Sequence, residues 1–90
     1  MKKITRVIIE GRAFTIVKGE RGYYGIEEKD IQNGRITRKL DPVRDNLRDS
    51  LGDCINAVEI RVRMEEMLAA GMSPEDAALH VLCSGSAAQR

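Results

Sequence analysis

The chain has 90 residues, with 15 Lys or Arg against 14 Asp or Glu and a formal net charge of +1. A chain this short buries only about 60–65% of the surface that its unfolded form exposes, and with one Phe, two Tyr and no Trp its core is aliphatic and methionine-filled. That composition excludes a large aromatic core and a strongly basic or acidic binding protein, and it favours a partner or second copy that supplies further burial.

Cys54 and Cys83 are the only cysteines, too few for a disulfide framework, so a reducing cytoplasmic setting is expected. Lys2 and Lys3 begin like an export signal, but the apolar run Val7-Ile8-Ile9 is closed by Glu10. No membrane span is expected. The near-zero net charge conceals a division: residues 1–40 hold ten Lys/Arg and five Asp/Glu, while residues 41–90 hold five and nine. The first part is therefore basic and the second acidic, which either steers an anionic partner or reflects pairing within the fold.

From Ile4 to Leu40, short β-branched runs alternate with Gly-containing turns, the pattern of hairpin-connected antiparallel strands. Strands are predicted at about 3–10, 13–18, 23–27 and 35–40. The turns are Glu10-Gly11-Arg12, Gly19-Glu20-Arg21-Gly22 and Asn33-Gly34, the last a strong type I′ or bulge signal. Reading each strand by its largest apolar residues directs Phe14, Ile16, Tyr24, Ile26, Ile36 and Leu40 toward the helices, with Val7 and Ile9 from the first strand. Alternation then sends Arg6, Ile8, Thr15, Val17, Tyr23, Arg35, Thr37 and Lys39 to an outer face.

The stretch Asp41-Pro-Val-Arg-Asp-Asn-Leu-Arg-Asp49 has no clean period and reads as a solvated connector with internal ion pairs. Ser50 and Asp53 resemble a capping box opening a helix that runs to about Ala70 and ends at Gly71. Spaced at 100°, this helix carries two apolar stripes: Leu51, Cys54, Ile55, Val58, Val62 and Ala69, and Ala57, Ile60, Met64, Met67 and Leu68. Ser73-Pro74-Glu75-Asp76 starts a final helix that needs to reach only about Cys83, with Ala77, Ala78, Val81 and Leu82 as its apolar face. The expected architecture is α+β: an antiparallel β-meander of three to four strands, a long helix packed on one sheet face and a short C-terminal helix. One domain is expected over 1–83, with a disordered tail at 84–90.

Catalytic and metal-binding patterns are weak. His80 is the only histidine, and Asp76, Cys83 and Cys54 around it lack the paired spacing of a metal site. Cys54 falls on an apolar stripe and reads as a small buried hydrophobe rather than an activated nucleophile. Gly19-Glu-Arg-Gly22 matches the bare string of a nucleic-acid-clamping loop, but it joins strands and carries Glu20 against any phosphate. No cofactor or small-molecule substrate is expected, and no enzyme activity.

Two functional readings follow. The first is a protein-interaction module, with a homodimer among its forms, whose helix interface is Ile60, Met64, Met67 and Leu68, since that stripe exceeds what a narrow final helix covers. The second is nucleic-acid binding through the outer sheet face by Arg6, Tyr23, Arg35, Thr37 and Lys39. The near-neutral net charge favours the first.

Overall fold

The computed structural model describes the backbone of residues 1–88 and the side chains of residues 1–83. The fold is α+β. Strands β1 (Lys2–Ile9), β2 (Arg12–Gly19) and β3 (Gly22–Glu27) form an antiparallel meander in the order β1-β2-β3. Glu10 and Gly11 both take positive φ, 51° and 76°, so the first hairpin closes through a two-residue type I′ turn whose twist matches its strands. The second also has two loop residues, Glu20 and Arg21, between the paired Gly19 and Gly22.

That second turn fixes the register, and the register corrects the expected faces. Ile16 lies opposite Gly25 and Val17 opposite Tyr24, and directly opposed residues share a face. Phe14 and Ile16 therefore share one face with Gly25, whereas Tyr24 and Ile26 lie on the other face with Thr15 and Val17. All of these are buried. The sheet is thus covered on both sides, and the expected outer face at Thr15 and Val17 does not meet solvent. On β1, Val7 and Ile9 are half-buried while Arg6 and Ile8 are exposed, as the alternation predicts. An extra residue interrupts the β1–β2 register between Lys3 and Thr5, which makes Ile4 a bulge.

Each face has its own cover. The first turns of helix α1 (Leu51–Ala69) lie on the Gly25 face: a Cβ at Gly25 would overlap a Val58 methyl and stand 3.7 Å from Cys54 Sγ. Gly25 is thus the flat spot that lets the helix approach. Val17, Tyr24 and Ile26 on the opposite face form a cluster with Ile31, Ile36, Leu40 and Leu47. Ile36 and Leu40 accordingly pack on the face away from α1, the reverse of the expectation.

The cover of that second face comes from the segment after β3. A 3₁₀ turn (Glu28–Asp30) leads into a small separate hairpin, β4 (Ile31–Gln32) with β5 (Arg35–Ile36). Asn33 and Gly34 have φ of 54° and 75°, the type I′ turn that the sequence signals. The strand expected at 35–40 is thus confined to two residues and pairs with β4 instead of joining the meander. The physical reason lies at Thr37, whose N–H and hydroxyl both donate to the Asp30 carbonyl at 2.9 Å and divert the chain.

Both helices begin, and α1 ends, on local chemistry. Ser50 Oγ accepts the Asp53 N–H and Ser73 Oγ the Asp76 N–H, each at 3.2 Å, satisfying donors that helix starts leave unpaired. Gly71, at φ 96°, ends α1: its N–H reaches the Leu68 carbonyl, and the Met72 N–H reaches that of Met67, a Schellman ending. Helix α2 is assigned over Pro74–Ala88, beyond the expected end near Cys83. The tail expected at 84–90 lies partly outside the described residues.

The chain divides into two compact units, Met1–Val58 and Glu59–Arg90. In the second, Val62 of α1 is buried, as are Ala77 and Val81 one turn apart on α2. Leu82, expected on the buried face of α2, is instead 69% exposed. No helix among the described residues is long and apolar enough to cross a membrane.

Candidate interaction edge of the sheet

The two outer strands of the meander differ in what their backbones meet. Along β3, Tyr23 exchanges both backbone hydrogen bonds with Arg48, at 2.8 and 3.1 Å, and the Gly25 N–H reaches the Asp45 carbonyl at 2.7 Å. The outer side of β3 is therefore closed by residues 45–48. That segment is itself held tightly. Asp41 Oδ1 accepts the Val43 and Arg44 N–H groups at 2.8 Å, capping a turn that delivers Asp45 to the strand. These bonds to the backbone, led by Arg44, hold the Asp41 carboxyl below the ordinary aspartate range.

Asp45 is 1% exposed. Its carboxylate takes a two-pronged hydrogen bond from the Arg38 guanidinium and the Asp41 N–H at 2.8 Å. Arg38 Nε lies 3.2 Å from Asp30 Oδ2 but outside hydrogen-bonding geometry, so that contact is coulombic. The bonds to Asp45 outweigh burial and keep Arg38 firmly charged. Residues 41–49, expected as a solvated connector, are thus partly a buried, hydrogen-bonded edge cover.

Among the described residues, strand β1 has no such cover. The β3 bonds at Tyr23 and Gly25 point outward, so Gly22, Tyr24 and Ile26 bond to β2; by alternation Phe14 and Ile16 of β2 bond to Val7 and Thr5 of β1. The backbone groups of Arg6 and Ile8 consequently point away from the sheet. Among the described residues, no backbone hydrogen bond reaches them from outside the strand. Ile8 is 61% exposed and Ile4 37%. An edge strand with outward backbone groups at Arg6 and Ile8 and exposed apolar side chains at Ile4 and Ile8 forms a template for another strand.

A charge such as Arg6 commonly guards an edge of this kind. Here Arg6 makes a two-pronged ion pair with Glu28. Glu28 follows β3, on the far side of β2, so the pair draws the guanidinium across the sheet and away from the open side. The hydrogen bond from Arg6 lowers the Glu28 carboxyl below its ordinary range. Arg12 likewise bonds Glu27 at 2.8 and 3.1 Å, while its guanidinium lies 5.5 Å from the Phe14 ring centroid. Of the basic residues in 1–40, Arg6, Arg12, Lys29 and Arg38 are thus matched by carboxylates nearby.

The residues expected to form a nucleic-acid-binding sheet face do not share one face. Arg6 stands on the Thr15 face and is paired with Glu28. Tyr23 stands on the α1 face beside Lys18, whose Nζ is 5.4 Å from its ring centroid. Thr37 closes the turn to Asp30, and Arg35 and Lys39 are exposed on the segment that covers the Thr15 face. Of the expected helix interface, Ile60, Met64 and Met67 are half-buried and Leu68 is 41% exposed. On α2, Leu79 and Leu82 are exposed.

Reactive groups are sparse. Cys54 is fully buried, and burial pushes its thiol up to about 11, which makes it a poor nucleophile. Cys83 is exposed. His80 gains no companions, because no group of three or more His, Cys, Asp or Glu is placed to hold a metal among the described residues. A cleft of about 230 Å³ on the Thr15 face is lined by residues including Lys3, Thr15, Val17, Ile31 and Ile36.

Sequence reasoning missed the open β1 edge and the buried Asp45. The sequence carried only partial signals: the turn lengths set which residues point outward, and Asp41-Pro42 announces a capped turn, but neither says what covers the edge or buries Asp45. Comparison with protein-family models, with curated proteins and with solved structures finds no match to this chain.

Proposed function

We propose that this chain is a small protein-interaction module that works in a reducing, cytoplasmic setting and binds an extended segment along β1. The observation that carries the reading is the contrast between the sealed β3 edge and the open β1 edge. Strand addition draws affinity from backbone hydrogen bonds and selectivity from side chains on either face. Arg6 and Ile8 offer the backbone groups, and exposed Ile4 and Ile8 offer apolar surface. The buried, raised Cys54 thiol, and the absence among the described residues of a group placed to hold a metal, support a non-enzymatic role.

A second protein-binding surface has its own support. Leu68, Leu79 and Leu82 are exposed in the helical unit, which favours the helix interface at Ile60, Met64, Met67 and Leu68. The alternative of nucleic-acid binding has weaker support, because Arg6, Arg12 and Arg38 are engaged by carboxylates.

Ile8→Pro separates the readings, because it removes an outward N–H and an exposed side chain while sparing the hydrogen bonds to β2. Partners retained by the native protein should be lost with Ile8→Pro and kept with Met64→Glu plus Met67→Glu, as followed by affinity capture and mass spectrometry. Retention by Ile8→Pro with loss by the methionine variant moves the site to the helix. Salt-sensitive binding of a generic duplex DNA, lost on charge reversal of Arg35 and Lys39, moves it to nucleic acid.

A further inference from the structure

Residues Lys2–Glu10 carry their charges unevenly. Lys2 and Lys3 stand at the beginning, Glu10 follows the end, and the exposed Ile4 and Ile8 flank Arg6 on either side. An antiparallel copy of the same strand reverses that order. Placed across a twofold axis at Arg6, it brings the Lys2–Lys3 end of one copy near the Glu10 turn of the other and the Ile4 bulge near Ile8. Thr5 then meets Val7 on the opposite face, extending the half-buried row that Val7 and Ile9 begin.

We infer that the strand which β1 accepts is β1 of a second copy, so that two meanders join into one continuous six-stranded antiparallel sheet. This partner assignment rests on the strand-addition reading of the same edge. Three features make self-pairing fit better than an unrelated strand. The lysine end of the strand meets the glutamate end of its reversed copy. The two apolar edge residues are evenly spaced about Arg6, so both are covered at once. Finally, the central Arg6 residues, which would repel if they stood side by side, are each drawn inward to their own Glu28. The outward backbone groups of Arg6 and Ile8 then find equivalent partners in the second copy, as an isologous interface requires.

The test uses the full chain with two nine-residue probes: a capped peptide of Lys2–Glu10, and one with the same apolar residues but its charges reversed. Amide exchange and chemical shifts are followed at Arg6 and Ile8, with molecular mass measured by sedimentation over a hundredfold range of concentration. The expected result is a mass that doubles with concentration, slowed exchange at those two amides as it does so, and competition by the native peptide. Charge reversal at Lys2 and Lys3 should weaken the dimer at least tenfold, and added Glu10→Lys should restore it. A chain that stays monomeric and ignores the native peptide, yet binds the reversed one at Arg6 and Ile8, overturns the second copy as partner and leaves strand addition standing. A chain whose amides respond to neither probe nor concentration overturns both.

Discussion

The two edges of this three-stranded sheet are built to opposite ends. Along β3, the chain folds back and spends a buried ion pair, a capped turn and three backbone hydrogen bonds on closing the strand. Along β1, the outward groups of Arg6 and Ile8 meet no backbone partner among the described residues, and two isoleucines are exposed. The comparison teaches that edge protection here is a property of the segment that follows the sheet, not of the strands. β3 is no more polar than β1; its central residues are Tyr24, Gly25 and Ile26. It is sealed because residues 41–48 are close in the chain, so little loop entropy opposes their return.

The largest expected effect comes from opening the sealed edge. Asp45→Ala removes the carboxylate that satisfies Arg38 and the Asp41 N–H, leaving a cation that is mostly buried without its strongest partner. Breaking one member of such a pair costs about 3–5 kcal/mol, a large share of the stability of a small domain. Urea unfolding should show that loss, and amide exchange at Tyr23 and Gly25 should accelerate first. If stability falls by less than the cost of an ordinary surface substitution, the pair is not what holds residues 45–48 on β3.

A smaller effect is expected where the cover passes closest to the strand. Gly22 has φ 142°, and a Cβ there would stand 2.5 Å from the Arg48 carbonyl oxygen. Gly22→Ala therefore combines an unfavourable backbone conformation with a collision against backbone that cannot swing aside. A cost of about 1–3 kcal/mol is expected, with the Tyr23–Arg48 bridge loosened. The same substitution at Gly11, which has nothing within 4 Å of its added Cβ, meets only the positive-φ penalty. A thermal unfolding comparison of the two variants isolates the collision.

Much of this contrast is written in short-range chemistry. Asn33-Gly34, Ser50, Gly71 and Ser73 act where their residue types predict, because caps and tight turns depend on a handful of adjacent atoms. The division of apolar residues between the two sheet faces is also encoded locally, in the two-residue turn between Gly19 and Gly22. Yet it opposes the reading from residue size, which gathers Phe14, Ile16, Tyr24 and Ile26 on one face. Gly25 between Tyr24 and Ile26 marks the face that α1 approaches. The candidate edge was less legible: whether a strand is outermost depends on pairing order, and whether it is bare depends on where residues 41–48 go. The burial of Asp45 had no periodic signature, since a carboxylate enters the interior only when Arg38 is brought to meet it by tertiary structure.

Acidification offers the mildest way to loosen the sealed edge, through the carboxyl that caps its turn. Hydrogen bonds from the Arg44 and Val43 N–H groups, aided by the charges of Arg38 and Arg44, lower the Asp41 carboxyl from its ordinary value. A carboxyl lowered in the folded state contributes stability that is fully present above its unfolded pKa, about 3.9 for aspartate. The contribution fades as pH falls through the lower folded-state value. Glu27 and Glu28 are lowered as well, through their hydrogen bonds to Arg12 and Arg6, so global stability blends several groups. Local amide exchange at Val43 and Arg44 separates Asp41 from them. Corrected for the intrinsic pH dependence of exchange, protection there should hold from neutrality to about pH 4 and decline below it. Asp41→Asn, which keeps an acceptor oxygen but cannot titrate, should flatten that decline while Arg6 and Ile8 on β1 behave alike in both proteins. A decline of equal size in Asp41→Asn would show that Asp41 is not the acid-sensitive group of the cover.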